Sequence, residues 1–127
     1  QGPRSDGNWQ PQINLDLATN SAMVQGDLRE VVLTVTVSAK QNDKTLFLVE
    51  VKQAGAFLME NLSEEEAKRA IASICPGVLF PYARSMVSQL VSQGGFAQLL
   101  LPPVNFDALY LNAQAQSANS PTPAQTN

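Results

Sequence analysis

Residues 28–57 alternate between two side-chain classes with period two, interrupted once by Gln41, Asn42, Asp43 and Lys44. Successive side chains of a strand point to opposite faces, whereas a helix repeats every 3.6 residues, so this alternation commits the segment to sheet. In 28–39, Val31, Leu33, Val35, Val37 and Ala39 share one face, while Glu30, Val32, Thr34, Thr36 and Ser38 share the other. The β-branched density favours a strand with one wetter side. The turn formers at 41–44 predict an antiparallel hairpin leading into 44–57. There Phe47, Val49, Val51 and Gln53 oppose Leu46, Leu48, Glu50 and Lys52, so both faces offer a usable surface. Gly55 predicts a bulge or a close backbone approach.

Upstream, Ile13, Leu15 and Leu17 alternate with Gln12, Asn14 and Asp16, predicting a half-buried strand over 12–18 and a connection over 19–27. Residues 1–8, QGPRSDGN, read as irregular. Beyond the hairpin the period changes to 3.6. Ser63 with Glu66 fits a capping box, and three glutamates favour the positive end of a helix dipole. Ala67, Ala70, Ile71 and Ile74 form the predicted buried stripe, with Lys68 and Arg69 in water. Cys75, Pro76 and Gly77 are expected to break this helix. A second follows over 80–92, striped by Ala83, Met86, Val87, Leu90 and Val91, and Gly94-Gly95 ends it. An apolar connection over 96–101 precedes Pro102-Pro103, and Asn105 caps a final short helix.

Strands first and helices second predict an α+β fold, an antiparallel sheet followed by helices packed on one face. The predicted organisation is one domain over 9–112 with a disordered tail over 113–127, whose Ala, Gln, Ser, Asn, Pro and Thr carry no charge. The net charge of −3 and the lack of a basic cluster argue against nucleic acid. No continuous apolar run approaches the roughly 18–20 residues of a membrane span.

Catalysis is poorly supplied. Histidine is absent, which removes the commonest general base and metal ligand. The single cysteine, Cys75, has no histidine to activate it, fits a reducing compartment such as cytosol, and reads as a small hydrophobe. The residues therefore call for no cofactor, no metal and no enzymatic activity. Large apolar side chains, in contrast, are in surplus for a domain of this size. Self-association together with a binding patch accounts for the surplus, and packing within one subunit is the alternative.

Four stretches resemble one family. Residues 75–84, CPGVLFPYAR, resemble a signature of SecB, the bacterial protein-export chaperone. Residues 102–110, PPVNFDALY, resemble its PVNFDAL element; Trp9-Gln10-Pro11 with Ile13, Leu15, Asp16 and Leu17 resembles a strand; and 47–55, FLVEVKQAG, resembles its FLxEVxQxG strand. The matches run in order from Trp9 to about Asn112. The resemblance implies a cytoplasmic homotetramer, a dimer of dimers with helices layered between two sheets. It implies ATP-independent holding of unfolded precursor proteins in apolar grooves, followed by delivery to SecA, the motor of the translocon. It places Leu48 and Glu50 in the SecA-docking patch and Phe47, Val49, Val51 and Gln53 at the subunit interface. Trp9, Phe80, Tyr82, Phe96, Leu99, Leu101 and Phe106 are candidates for the client-binding groove, each also explicable as core. The family ordinarily carries a further strand with acidic residues ahead of the tryptophan; eight residues precede Trp9 here. A SecB-like chaperone serving another partner, such as an antitoxin, and a non-catalytic oligomeric binding module are the alternative readings.

Overall fold

The computed structural model describes residues 11–96 and 99–119. Three strands, β1 (Gln12–Gln25), β2 (Leu28–Gln41) and β3 (Lys44–Leu58), form an antiparallel sheet in the order β1-β2-β3. Asn42 and Asp43 both take positive φ, +54° and +65°, as a two-residue type I′ hairpin turn requires. The alternation in β2 is borne out: Val31, Leu33, Val35, Val37 and Ala39 are all fully buried.

β1 is longer than its sequence suggests. It continues through Asn20, Ser21 and Ala22, read above as a connection, because each pairs with a residue of β2, Asn20 with Val32 and Ser21 with Val31. The partner strand supplies backbone hydrogen bonds that outweigh weak intrinsic β-propensity. Gly55 interrupts no register, standing opposite Val31. It marks a close approach instead, since a Cβ there would lie 2.9 Å from Leu79 Cδ2 and 3.1 Å from Phe57 Cε1. The register shift in this hairpin lies between Ala39 and Lys40, beside the turn.

Ser63 begins the helical half with the predicted capping box. The Glu66 amide donates to Ser63 Oγ at 3.1 Å, and the Ser63 amide donates to Glu66 Oε1 at 2.8 Å. The helix α1 (Glu64–Arg69) does not then break. A π-helical turn, Ala70–Ile74, joins it to α2 (Cys75–Gln93), giving one rod from Glu64 to Gln93. Pro76 has no N–H to donate and its ring would crowd the carbonyl of Ala72 in a regular helix. The wider turn takes up that conflict, with the Cys75 amide bonding Ala70 O, five residues back. The fused rod is long and apolar enough, by length and composition, to cross a bilayer, which a helix broken at Pro76 would not be; its inner stripe lies on the sheet.

α2 ends in a Schellman motif. The Gly95 amide bonds Ser92 O and the Phe96 amide bonds Val91 O, with Gly95 at φ +89°. The helix α3 (Phe106–Asn119) starts at Asn105, whose Oδ1 accepts from the Ala108 amide at 2.9 Å. It extends past Ala113, where the tail was expected to be disordered. Ala113, Gln114, Ala115 and Gln116 lack apolar periodicity but are good helix formers. The core lies between the inner face of the sheet and α2, where Cys75, Leu79, Phe80, Ala83, Val87 and Val91 pack on β2 and Val51.

Candidate functional site

The inner and outer faces of β3 meet different surroundings. Phe47, Val49, Val51 and Gln53 stand opposite Ala39, Val37, Val35 and Leu33, so they share the face covered by α2. Val51 is buried, Val49 and Phe47 pack against the core, and the Phe47 ring lies 5.0 Å from that of Phe96. Of the residues the resemblance assigned to a subunit interface, Val51 is thus buried, while Phe47, Val49 and Gln53 are half-buried. Leu48, 66% exposed, and Glu50 stand on the outer face. Glu50 shares a row with Thr36 and Asp16, which puts a second carboxylate two strands away on the same face.

The groove candidates separate into three groups. Phe80 and Phe106 are buried and meet edge-to-face at 5.6 Å, and Leu101 is also buried. They are core residues rather than open lining, although Phe106 and Leu101 each form part of the wall of a surface depression. Phe96 and Leu99 are half-buried against the core. Tyr82 is free, at 64% exposure. Trp9 lies outside the described residues.

A surface of which the sequence reading singled out Tyr82 alone as a binding candidate runs along the outer side of the rod. Ile74, Val78, Tyr82, Met86 and Leu90, each four residues apart, are all exposed. Ile74, assigned to the buried stripe by regular helical spacing, is 60% exposed. The π turn adds a residue to the rotation, so Ser73 and Cys75 turn inward in its place. Four-residue steps drift by about 40° in a 3.6-residue helix. Exposure accordingly falls towards Leu90 as the row winds back to the sheet. The five side chains form an exposed apolar row along one side of the rod.

Where the rod changes pitch, it is fastened to α3. Arg69 donates to Asp107 through Nε at 3.0 Å and Nη2 at 2.7 Å, and Ser73 Oγ donates to the same carboxylate at 3.1 Å. The Arg69 hydrogen bonds hold the Asp107 carboxyl below its usual range and raise Arg69 further. Both groups are open to water, so the pair is screened and contributes positioning more than stability. Beside it lies an open depression lined by Ile74, Gly77, Val78, Pro103, Val104 and Phe106, among others. Burial pushes the Cys75 thiol up, which disfavours the nucleophilic thiolate. Among the described residues no group of three or more His, Cys, Asp or Glu could hold a metal ion.

The sequence profile described as preprotein translocase subunit SecB matches residues 2–117. The chain belongs to the SecB family. Its relatives include the protein-export protein SecB of Hahella chejuensis, 45% identical over 118 residues that cover 92% of this chain and 74% of that protein. The SecB of Nitrosococcus oceani is 49% identical over 85% of this chain and 66% of its own length. That of Alkalilimnicola ehrlichii is 46% identical over 88% and 60%. The chain therefore spans between 60% and 74% of the length of these SecB relatives. Among solved structures, the SecB-like chaperone of Mycobacterium tuberculosis, in complex with a ChAD peptide from an antitoxin, superposes with a TM-score of 0.56. It is 17% identical, with 82% of this chain and 75% of that one covered, and shows that the fold is shared.

Proposed function

We propose that this chain is an ATP-independent holdase of the bacterial cytoplasm that keeps unfolded precursor proteins competent for export and delivers them to the SecA motor. The observation that carries the reading is membership of the SecB family across nearly the whole chain. The exposed row from Ile74 to Leu90 supports it physically. Apolar area without directional polar groups binds many sequences, and a rigid rod keeps that area from collapsing on itself.

The same row supports assembly. A rod with its inner side on a sheet and its outer side apolar suits the middle layer of a tetramer, helices between sheets. Phe47, Val49, Val51 and Gln53 then act on assembly from within, by setting where α2 lies. Leu48 and Glu50 suit a docking patch for a basic partner segment, because they stand outward on a sheet face that no described helix covers. The reading involves no nucleic acid and no insertion into the membrane.

The test is aggregation of a chemically unfolded polypeptide diluted into buffer without nucleotide. Stoichiometric amounts of the chain suppress the rise in light scattering if the reading holds. Unchanged scattering, or suppression that requires ATP, contradicts it.

A further inference from the structure

Among the described residues, α3 buries side chains only in its first two turns. Phe106 is buried against Phe80 and Tyr110 is half-buried, whereas residues 111–117 are all exposed. The chain reaches α3 through Pro102 and Pro103, which are exposed as well. The direction in which the helix leaves the rod is therefore decided close to Asp107. Arg69 grips that carboxylate at two points, Nε to Oδ1 and Nη2 to Oδ2, and Ser73 Oγ adds a third bond to Oδ1. Such a fork fixes orientation as well as distance, because the planar guanidinium makes two parallel N–H···O bonds.

Ser73 strengthens the argument. It is the only buried polar residue among those described, at 7% exposure, and its hydroxyl would be left without a partner if Asp107 moved away. The two donors come from either side of the change of pitch, Arg69 from the end of α1 and Ser73 from within the π turn. This latch stands on the rim of the depression between the rod and α3, whose volume is about 530 Å³. Ile74, Gly77 and Val78 form one wall; Pro103, Val104 and Phe106 form the other. Ile74 and Val78 also begin the exposed apolar row. A change in the tilt of α3 moves the second wall and leaves the first in place.

We propose that Arg69 and Ser73 are positioning residues for the holding function: by latching Asp107 they keep the α3 wall of this depression preset for an apolar side chain of an unfolded polypeptide lying along the Ile74 and Val78 end of the row. This rests on the holding function proposed above. A preset wall spares the bound state the ordering of α3, so the latch acts on how long a polypeptide stays bound.

The test uses the full chain, amide hydrogen exchange, and fluorescein-labelled lactalbumin, reduced and carbamidomethylated so that it stays unfolded. In R69Q the amides of residues 110–114 exchange about threefold faster and the bound polypeptide leaves about threefold faster, within the range a solvent-exposed ion pair supplies. R69K lies between, because an ammonium keeps the charge without the fork. S73A shifts both rates in the same direction. Exchange in α2 and the denaturant melt keep their wild-type values, which separates positioning from a general loss of stability. Added salt speeds α3 exchange in the wild type and not in R69Q. Unchanged α3 exchange in R69Q overturns the latch, and faster exchange with unchanged release overturns its part in holding. Equal acceleration in α2 assigns Arg69 to the stability of the whole fold and overturns the proposal too. Should R69Q fail to fold, R69K and the salt response decide. A wild type that binds no polypeptide counts against the holding function itself, while an unchanged release rate in every variant counts against the positioning role alone.

Discussion

The rod from Glu64 to Gln93 has two apolar sides with opposite uses. The inner side, Leu79, Phe80, Ala83, Val87 and Val91, is almost fully buried on the sheet. The outer row, Ile74, Val78, Tyr82, Met86 and Leu90, has side chains of similar hydrophobicity that stay 38% to 64% exposed among the described residues. Composition does not separate them; position relative to the sheet does. The inner side carries the stability of the fold, and the outer side stays exposed. Substitutions matched across the two sides break this distinction or sharpen it.

The largest effect is expected at Val87. Val87→Asp buries a carboxylate with no described partner and costs about 3–5 kcal/mol, a large fraction of a domain's total stability. Val78→Asp, on the outer row, changes stability by less than about 1 kcal/mol and lowers the solution mass. Denaturant melts and light scattering read the two quantities, and equal destabilisation at both sites would erase the distinction. Val51→Asp is expected to act like the inner site, through the fold, and any loss of assembly follows from that. Its neighbour Glu50→Lys leaves the melt within about 0.5 kcal/mol and weakens binding to the SecA motor, measured by calorimetry. An intact melt for Val51→Asp would show that β3's inner face is not core.

A smaller effect tests how tightly the inner side is packed. Gly55→Ala places a methyl 2.9 Å from Leu79 Cδ2, so Leu79 has to shift, at about 1–3 kcal/mol. No loss would mean that the rod sits more loosely than drawn. The smallest effect concerns the fastening to α3. The folded Asp107 carboxyl is held low by Arg69, so its contribution is present above the usual carboxylate value and is lost as pH falls through the lower folded one. Tyr110 resonances on α3 are expected to report that acid step in the wild type and not in Asp107→Asn. An identical titration in both would assign the step elsewhere.

Much of the fold was legible because it depends on local chemistry. The period-two face of β2, the Asn42-Asp43 turn, the Ser63–Glu66 box, the Gly94-Gly95 terminus and the Asn105 cap each rest on a few adjacent residues. What was not legible depends on partners distant in sequence or on a change of helical pitch. Asn20 and Ser21 become strand because β2 lies beside them. Ile74 becomes surface because the π turn ahead of Pro76 alters the rotation. Arg69 reads as a solvated helix residue until Asp107, thirty-eight positions later, is placed against it. The site was partly legible for the same reasons. Alternation fixed which β3 residues share a face, but the sequence could not say which face α2 covers. Phe80, Leu101 and Phe106 carry the same chemistry in a core as in a groove, and only burial separates the two uses.

The solution mass of the chain, measured by light scattering alone and then with an unfolded client, tests the central claim most directly. The outer row predicts a particle near four times 13.7 kDa that grows by the mass of a client when one is added. A 13.7 kDa particle unchanged by the client would contradict it, leaving the exposed row from Ile74 to Leu90 with no partner of either kind.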